Sequence, residues 1–303
     1  MIETSNVLVV QIFLICLVVV GIITVKARIV DGHTRNSLSD IVLYIFLPCN
    51  ILSSFFGTDI SLLPSIGIML VISSGILAFT LILSLVLYKR INPEQKKVLL
   101  YGTIISNANF LGIPVVEGIY GITGVPYVAA YVLPLRIAVW TFGLAIFIGG
   151  KSNLKKVFFH PCLIATYLGL LVMITGFTPP ALLSRLVYSL GNCTTPVSMM
   201  VVGCILAMVD VRKLVSKLTV LYTFVRLAFI PFCVMGILLL IRPAPMVTGV
   251  SVLLSGMPAA VTTTILADKY GADKELASSM AFMSTLLSIF TAPSMAYLLS
   301  LIL

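Results

Sequence analysis

The amino-acid sequence predicts an all-α polytopic membrane protein: ten transmembrane helices in two inverted five-helix repeats, with helices 4 and 9 broken and crossing. Three observations predict it. The composition is too apolar for a surface that faces water, basic residues alternate between successive connections, and a Gly-x-Pro element recurs in the fourth and ninth apolar runs. Of the 303 residues, 60% are hydrophobic and 10% charged, whereas a soluble domain carries roughly 25% charged residues. Mean hydropathy is +1.17. This balance excludes an ordinary cytosolic enzyme, a disordered chain and a nucleic-acid-binding domain, in spite of a net charge of +9. A span needs about 20 apolar residues to cross about 30 Å of hydrocarbon, so ten spans take about two-thirds of the chain. Little is left for a soluble module.

The first apolar run ends near Thr24, with Glu3 before it and Lys26 and Arg28 behind it. A secretory signal starts basic and ends in small residues, so this run is expected to be a retained span. Further runs fall near 38–57, 62–88, 98–120, 125–149, 161–177, 182–208, 218–241, 246–267 and 276–301. Charged clusters or Pro/Gly turns separate them. Residues 1–149 form the expected first repeat, 150–160 a short cytoplasmic linker, and 161–303 the second, inverted repeat.

Charge sets the topology. The connections after spans 1, 3, 5, 7 and 9 hold Lys26, Arg28 and Arg35; Lys89, Arg90, Lys96 and Lys97; Lys151, Lys155 and Lys156; Arg212, Lys213 and Lys217; and Lys269 and Lys274. The connections after spans 2, 4, 6 and 8 hold only Arg242, with Arg185 near the start of span 7, while Arg136 and Arg226 lie inside spans. Cytoplasmic loops collect Lys and Arg, so both termini are expected outside, in a plasma membrane of bacterial type. The six cysteines fall in apolar runs at no metal-like spacing and read as small buried hydrophobes, without a disulfide or a zinc site.

The repeat is carried by Gly112-Ile113-Pro114 in span 4 and Gly256-Met257-Pro258 in span 9. They are 144 residues and five spans apart, and are followed by Tyr120-Gly121 and Tyr270-Gly271. Spans 2 and 7 each carry a mid-span proline, Pro48 and Pro196. Five spans per unit is odd, so the second unit must lie upside down relative to the first, as in many secondary transporters. Proline lacks an amide hydrogen and clashes with the preceding turn. In lipid, such an interruption persists only where protein or a watery cavity takes up the freed carbonyls. Two interruptions in matching spans can cross at mid-depth, with the half-helices after Pro114 and Pro258 aiming their N-termini at one site. Those ends carry partial positive charge and free amide donors, so the site favours an anion.

Asn107-Ala108-Asn109-Phe110-Leu111-Gly112-Ile113-Pro114, Ile119-Tyr120-Gly121, Leu47-Pro48, Ser255-Gly256-Met257-Pro258-Ala259-Ala260 and Ala267-Asp268-Lys269-Tyr270-Gly271 resemble the auxin efflux carrier family, whose bacterial members include proposed malate and other organic-acid permeases. The resemblance covers essentially the whole chain. It implies a fold related to bile-acid and sodium–proton transporters, with a scaffold and a transport bundle, and anion movement by an elevator-like step. Two departures stand out. The loop between spans 5 and 6 is about ten residues where plant members have a long hydrophilic one, so no plant-hormone specificity follows. Thr262-Thr263-Thr264 stands where plant members typically have another proline.

The candidate substrate-binding residues are Asn107, Asn109, Gly112, Pro114, Gly256, Pro258, Thr262 and Asn50. Asn107 offers an amide to a carboxylate or to unwound carbonyls, with helix-to-helix hydrogen bonding as the plainer reading; both readings stand equally for Asn109. Glu117 is either a proton-coupling carboxylate or a charge stabilised in the first turn of a half-helix. Arg136 can pair with Glu117 or hold an organic anion, whereas Arg226 reads as snorkelling to the interface. Asp40 reads as a helix-terminus charge. Asn50, Ser53 and Ser54 face a cavity or a polar seam. Thr262 to Thr264 cannot share one helix face, so at most two of them line a cavity. His33 and His160 receive no role.

The function expected is secondary active transport of a small organic anion, a dicarboxylate such as malate, by alternating access, with H+ or Na+ as coupling ion and no cofactor. The expected partners are the anion and the lipid bilayer, with a homodimer admitted and nucleic acid excluded. The alternative is a membrane receptor or sensor built on a transporter fold. An intramembrane enzyme would need a nucleophile–base pair or a metal triad, and no such motif lies in the spans. No Gly-x-x-x-x-Gly-Lys-Ser/Thr loop serves ATP.

Overall fold

A computed structural model of the chain describes residues 4–53, 55–57, 63–108, 111–121, 124–148, 159, 161–207 and 215–302. Among them the secondary structure is helical throughout, apart from one isolated β-bridge. The first half holds α1 (Thr4–Lys26), α2 (Gly32–Ser53), α3 (Leu63–Leu87), α4 (Pro93–Ile104), α5 (Gly112–Tyr120) and α6 over 125–148. The second holds α7 (Pro161–Thr175), α8 (Ala181–Asn192), α9 (Thr194–Ala207), α10 (Lys217–Ile241), α11 (Pro245–Ser255), α12 (Val261–Lys269) and α13 (Lys274–Ile302). Stretches of α2, α3, α6, α10 and α13 are each long and apolar enough to cross a bilayer alone. The chain is therefore a polytopic membrane protein. The expected linker lies outside the described residues except Phe159, and Ser54 and His160 lie outside them as well.

Local chemistry explains where the helices begin. Asp31 accepts the Thr34 amide at 2.8 Å and Asn92 accepts that of Glu94 at 3.1 Å. Ser216 accepts the Thr219 amide at 3.1 Å, and Asp273 that of Leu276 at 2.9 Å. Each side chain supplies one of the acceptors that the first turn of a helix lacks, and all four lie in connections rich in Lys and Arg. The bond to Thr34 also holds the Asp31 carboxyl below its ordinary pKa. On the other connections α8 follows Pro180 and α11 starts at Pro245, where proline gives up no needed donor.

Three helices widen into a π turn: Val42–Phe46 in α2, Val139–Gly143 in α6 and Val225–Phe229 in α10. Pro48 and Pro231 each follow such a turn by two residues. A proline clashes with the carbonyl four residues before it, and that residue, Tyr44 or Leu227, lies in the widened turn. Thus Pro48 leaves α2 unbroken.

The helices pack in two groups. α1 runs along α9, and α2 along α7 and α8; α3 packs on α6, and α10 on α11. Contacts of α1 with α5 and α13 join the groups. α1 and α9 touch backbone to backbone: a Cβ on Gly21 would meet the Met200 carbonyl oxygen at 2.1 Å, and one on Gly203 that of Val18 at 2.0 Å. A second junction is ionic. Arg35 of α2 reaches Asp268 of α12 at 3.2 Å with both side chains buried, and Lys274 approaches Asp268 at 3.9 Å. Asp40 pairs with Lys269, raising the lysine pKa through their hydrogen bond, and Lys269 also sits 5.6 Å over the Tyr44 ring. Asp40 therefore ties α2 to the end of α12 rather than simply capping a helix.

These junctions predict two outcomes. Gly203→Ala should lower the apparent Tm in detergent, since overpacking a tight contact costs about 1–3 kcal/mol. Gly236→Ala, where a Cβ meets nothing within 4 Å, should leave the Tm unchanged. Asp268→Asn removes the charge that faces the buried Arg35, which keeps its hydrogen bond to Asn36 Oδ1 at 2.7 Å, and should cost about 1.5–3 kcal/mol. Lys274→Ala removes an exposed partner and should cost less than about 1 kcal/mol. Chemical-denaturant titrations of the purified variants separate the two.

Candidate functional site

Among the described residues, the interruptions of two helical spans cross. The first lies between α4 and α5, the second between α11 and α12. Ser106 and Ala259 form an antiparallel bridge, and the Asn107 amide donates to the Pro258 carbonyl at 2.8 Å. Each break thus satisfies part of the other. The first break does not sit at its Gly-x-Pro element, as the sequence suggested. α5 already starts at Gly112, so Pro114 falls in its first turn, where a missing amide costs nothing, whereas Pro258 lies inside the second break. The two Gly-x-Pro elements are therefore out of register: Ile104 and Ser255, the last residues before the breaks, are 151 residues apart, and Gly112 and Val261, the first after them, 149. Gly112 serves packing, because a Cβ there would meet Leu254 Cδ2 at 2.4 Å.

The remaining freed groups find partners from neighbouring helices. Tyr222 of α10 donates its hydroxyl to the Gly102 carbonyl at 2.8 Å. Arg226, one turn on, donates to three carbonyls: Thr103 at 2.8 Å, Ser255 at 2.9 Å and Met257 at 2.9 Å. The Ala259 amide donates to Ser284 Oγ of α13 at 3.0 Å, and Ser106 Oγ reaches the Leu254 carbonyl at 3.4 Å. Arg226 is 2% exposed. The expectation that it snorkels is wrong: its guanidinium turns inward because the carbonyls of two interrupted helices offer it acceptors that lipid cannot.

Among the described residues, the Asn107 side chain at the crossover is left over. The Asn107 side chain is 2% exposed, and neither its Oδ1 nor its Nδ2 has a hydrogen-bond partner. It borders a cavity of about 60 Å³, room for on the order of four water molecules. Leu47 and Ile51 of α2 line one side, Leu135, Arg136 and Trp140 of α6 another, and Ile105 to Asn107 with Ala260 to Thr262 the crossover side. Arg136 is buried, with its guanidinium carbon 5.5 Å from the Phe55 ring centroid. Thr262 accepts the Tyr101 hydroxyl at 2.9 Å. An amide, a guanidinium and the N-terminus of α12 thus border one small space, an arrangement that suits a carboxylate.

The other candidates lie elsewhere. Asn50 spans α2 and α8, donating to the Gly191 carbonyl at 3.4 Å. Gly112, Gly256 and Pro258 belong to the crossover and are not among the described residues that line the cavity, whereas the start of α12 is. Of the three threonines Thr262 alone lines it, and Thr264 donates to the Ala277 carbonyl at 3.3 Å. Asn109 lies outside the described residues, as do the side chains of Pro114 and Glu117, whose backbone belongs to α5. Sequence reasoning missed Tyr101, Trp140 and the inward role of Arg226. The one available signal was an arginine and a tyrosine four residues apart in an otherwise apolar span.

The chain matches a family described as membrane transport proteins over residues 6–156 and 148–296. It is 26% identical over 283 residues to an uncharacterised transporter of Methanothermobacter thermautotrophicus, covering 91% of this chain and 93% of that one. It is 24% identical over 300 residues to a protein of Rhizobium meliloti named "Putative malonate transporter", covering 93% and 92%. An uncharacterised transporter of Methanocaldococcus jannaschii is 27% identical over 298 residues, covering 92% and 94%.

Proposed function

Because the chain belongs to the membrane transport protein family of auxin efflux carriers, we propose that it is a secondary active transporter of small organic anions in the plasma membrane. The dicarboxylate class, malonate or malate, suits it best, and the name of the Rhizobium meliloti relative points the same way. The observation that carries the reading is the buried Asn107 carboxamide, without a partner, beside Arg136 and the start of α12. An unpaired buried polar group costs about 1–3 kcal/mol, and a carboxylate arriving there recovers it.

The place of the cavity supports alternating access. α2 closes it on one side and the crossover and α6 on the other, so it sits between the two packing groups. To admit a whole dicarboxylate, α2 parts from the crossover in this reading. In this reading residues 1–149 and 161–303 are two inverted repeats, giving ten spans with both termini outside. Pro114 and Gly256 set the half-helices, and Glu117, by its place in α5, is the residue to test for proton coupling. Asn109 joins Asn107 as a second amide candidate, and Asn50 helps to hold α2.

Single cysteines at Asn92 and Ser152, in a cysteine-free background, should label only from the cytoplasmic side. Labelling from outside intact cells overturns the topology. Trp140, the sole tryptophan, lines the cavity, so its fluorescence should report malonate binding to purified protein. Asn107→Ala removes hydrogen bonding worth about 1 kcal/mol and should weaken binding about fivefold. Asn107→Asp adds a negative charge about 4 Å from the anion, a repulsion of about 4 kcal/mol at an effective dielectric near 20, and should abolish it. Wild-type binding by Asn107→Asp means the anion does not sit beside Asn107.

A further inference from the structure

The C-terminal ends of α4 and α11 face each other at the crossover, and both carry partial negative charge on carbonyls that no following turn takes up. In broken-helix transporters such unwound carbonyls and half-helix C-terminal ends are where a coupling cation is held. Here that place is taken by a side chain. The Arg226 guanidinium donates through Nε to Met257, through one terminal nitrogen to Thr103 and through the other to Ser255, all at 2.8–2.9 Å. One acceptor comes from the first interrupted span and two from the second, so a single cation joins both.

The setting fits a fixed charge. Among the described residues the hydrogen-bond partners of Arg226 are these three carbonyls, and the side chain is 2% exposed. The π turn Val225–Phe229 begins one residue before it, and Tyr222, a turn earlier, closes the adjoining Gly102 carbonyl. A guanidinium is weakly hydrated, holds its proton and offers donors in a rigid plane, so it neither leaves nor exchanges as a sodium ion does. Arg226 does not line the cavity with Asn107, so it acts on the anion site only by fixing the two breaks.

We propose that Arg226 is a built-in substitute for a monovalent coupling cation at the helix crossover, and that this carrier works without sodium. The inference deepens the transport reading and rests on it for the word carrier, but its main test does not need transport. Thermal unfolding of the purified protein is followed in sodium, potassium and N-methyl-D-glucamine chloride at equal ionic strength. The wild type should melt at one temperature in all three. Arg226→Ala leaves three carbonyls facing an empty position. It should melt several degrees lower, and sodium or 10 mM methylguanidinium should raise its Tm above that in N-methyl-D-glucamine.

A wild type stabilised by sodium overturns the proposal, as does an Arg226→Ala protein that melts low and ignores every cation, since that result makes Arg226 a structural brace only. If Arg226→Ala does not fold, Arg226→Lys serves, with a charge but a different donor geometry. It should fold, melt below wild type and stay indifferent to sodium; sodium stabilisation of this variant overturns the proposal. In proteoliposomes, malonate uptake at equal rates with and without sodium is expected, and a sodium requirement overturns the inference. Absence of malonate uptake under every condition speaks against the substrate reading and leaves the melting result to decide on Arg226.

Discussion

Inside a bilayer no water is at hand for an unpaired backbone group, and this constraint organises the centre of the molecule. Interrupting one apolar helix frees carbonyls on one side of the gap and amides on the other. Two interruptions that cross can answer each other, as the Asn107 amide does for Pro258 and Ser106 does for Leu254. What remains is met by α10 and α13, through Tyr222, Arg226 and Ser284. A single broken span would need all its partners from intact helices. The pairing of the breaks is thus an energetic requirement before it is a functional one, and it explains why both interruptions lie at the same depth of the packing.

The same constraint shows why parts of the fold were legible in the sequence. Lipid exposure demands long apolar runs, and helices such as α3 and α10 fall where the runs do. Water-facing ends demand charges, which marked the connections in the sequence, and the structure places the caps Asp31, Asn92, Ser216 and Asp273 in them. The crossover was legible as a pair of proline-bearing spans but not in register. A proline in the first turn of a helix and one inside a gap look alike in sequence, since both lack an amide that neither position needs. Arg226 was misread for a related reason: apolar neighbours in a sequence do not reveal whether carbonyls wait on the inward face. Thr262 and Tyr101, 161 positions apart, meet only because the spans cross.

The crossover also separates two kinds of charge. The C-terminal ends of α4 and α11 are closed by a cation that cannot dissociate, whereas the N-terminus of α12 faces a small space with an unsatisfied amide. Among the described lining residues, the start of α12 is accompanied by Arg136 and by no carboxylate. The negative poles are therefore settled within the fold, and the positive one at the start of α12 borders the cavity.

That division bears on movement as well. Arg226 binds the two interrupted spans into one body, because its three acceptors come from both. α2, by contrast, meets the crossover across a cavity and is tied to α12 by ion pairs near the helix ends, Arg35 with Asp268 and Asp40 with Lys269. Backbone-directed hydrogen bonds from a buried guanidinium hold one geometry. Of the two ion pairs, Asp40 with Lys269 is the more exposed and can part at small cost, since water reaches it as it separates, whereas Arg35 with Asp268 is buried and parts at larger cost. The crossover is thus held by buried hydrogen bonds, while α2 meets α12 through one buried and one exposed ion pair.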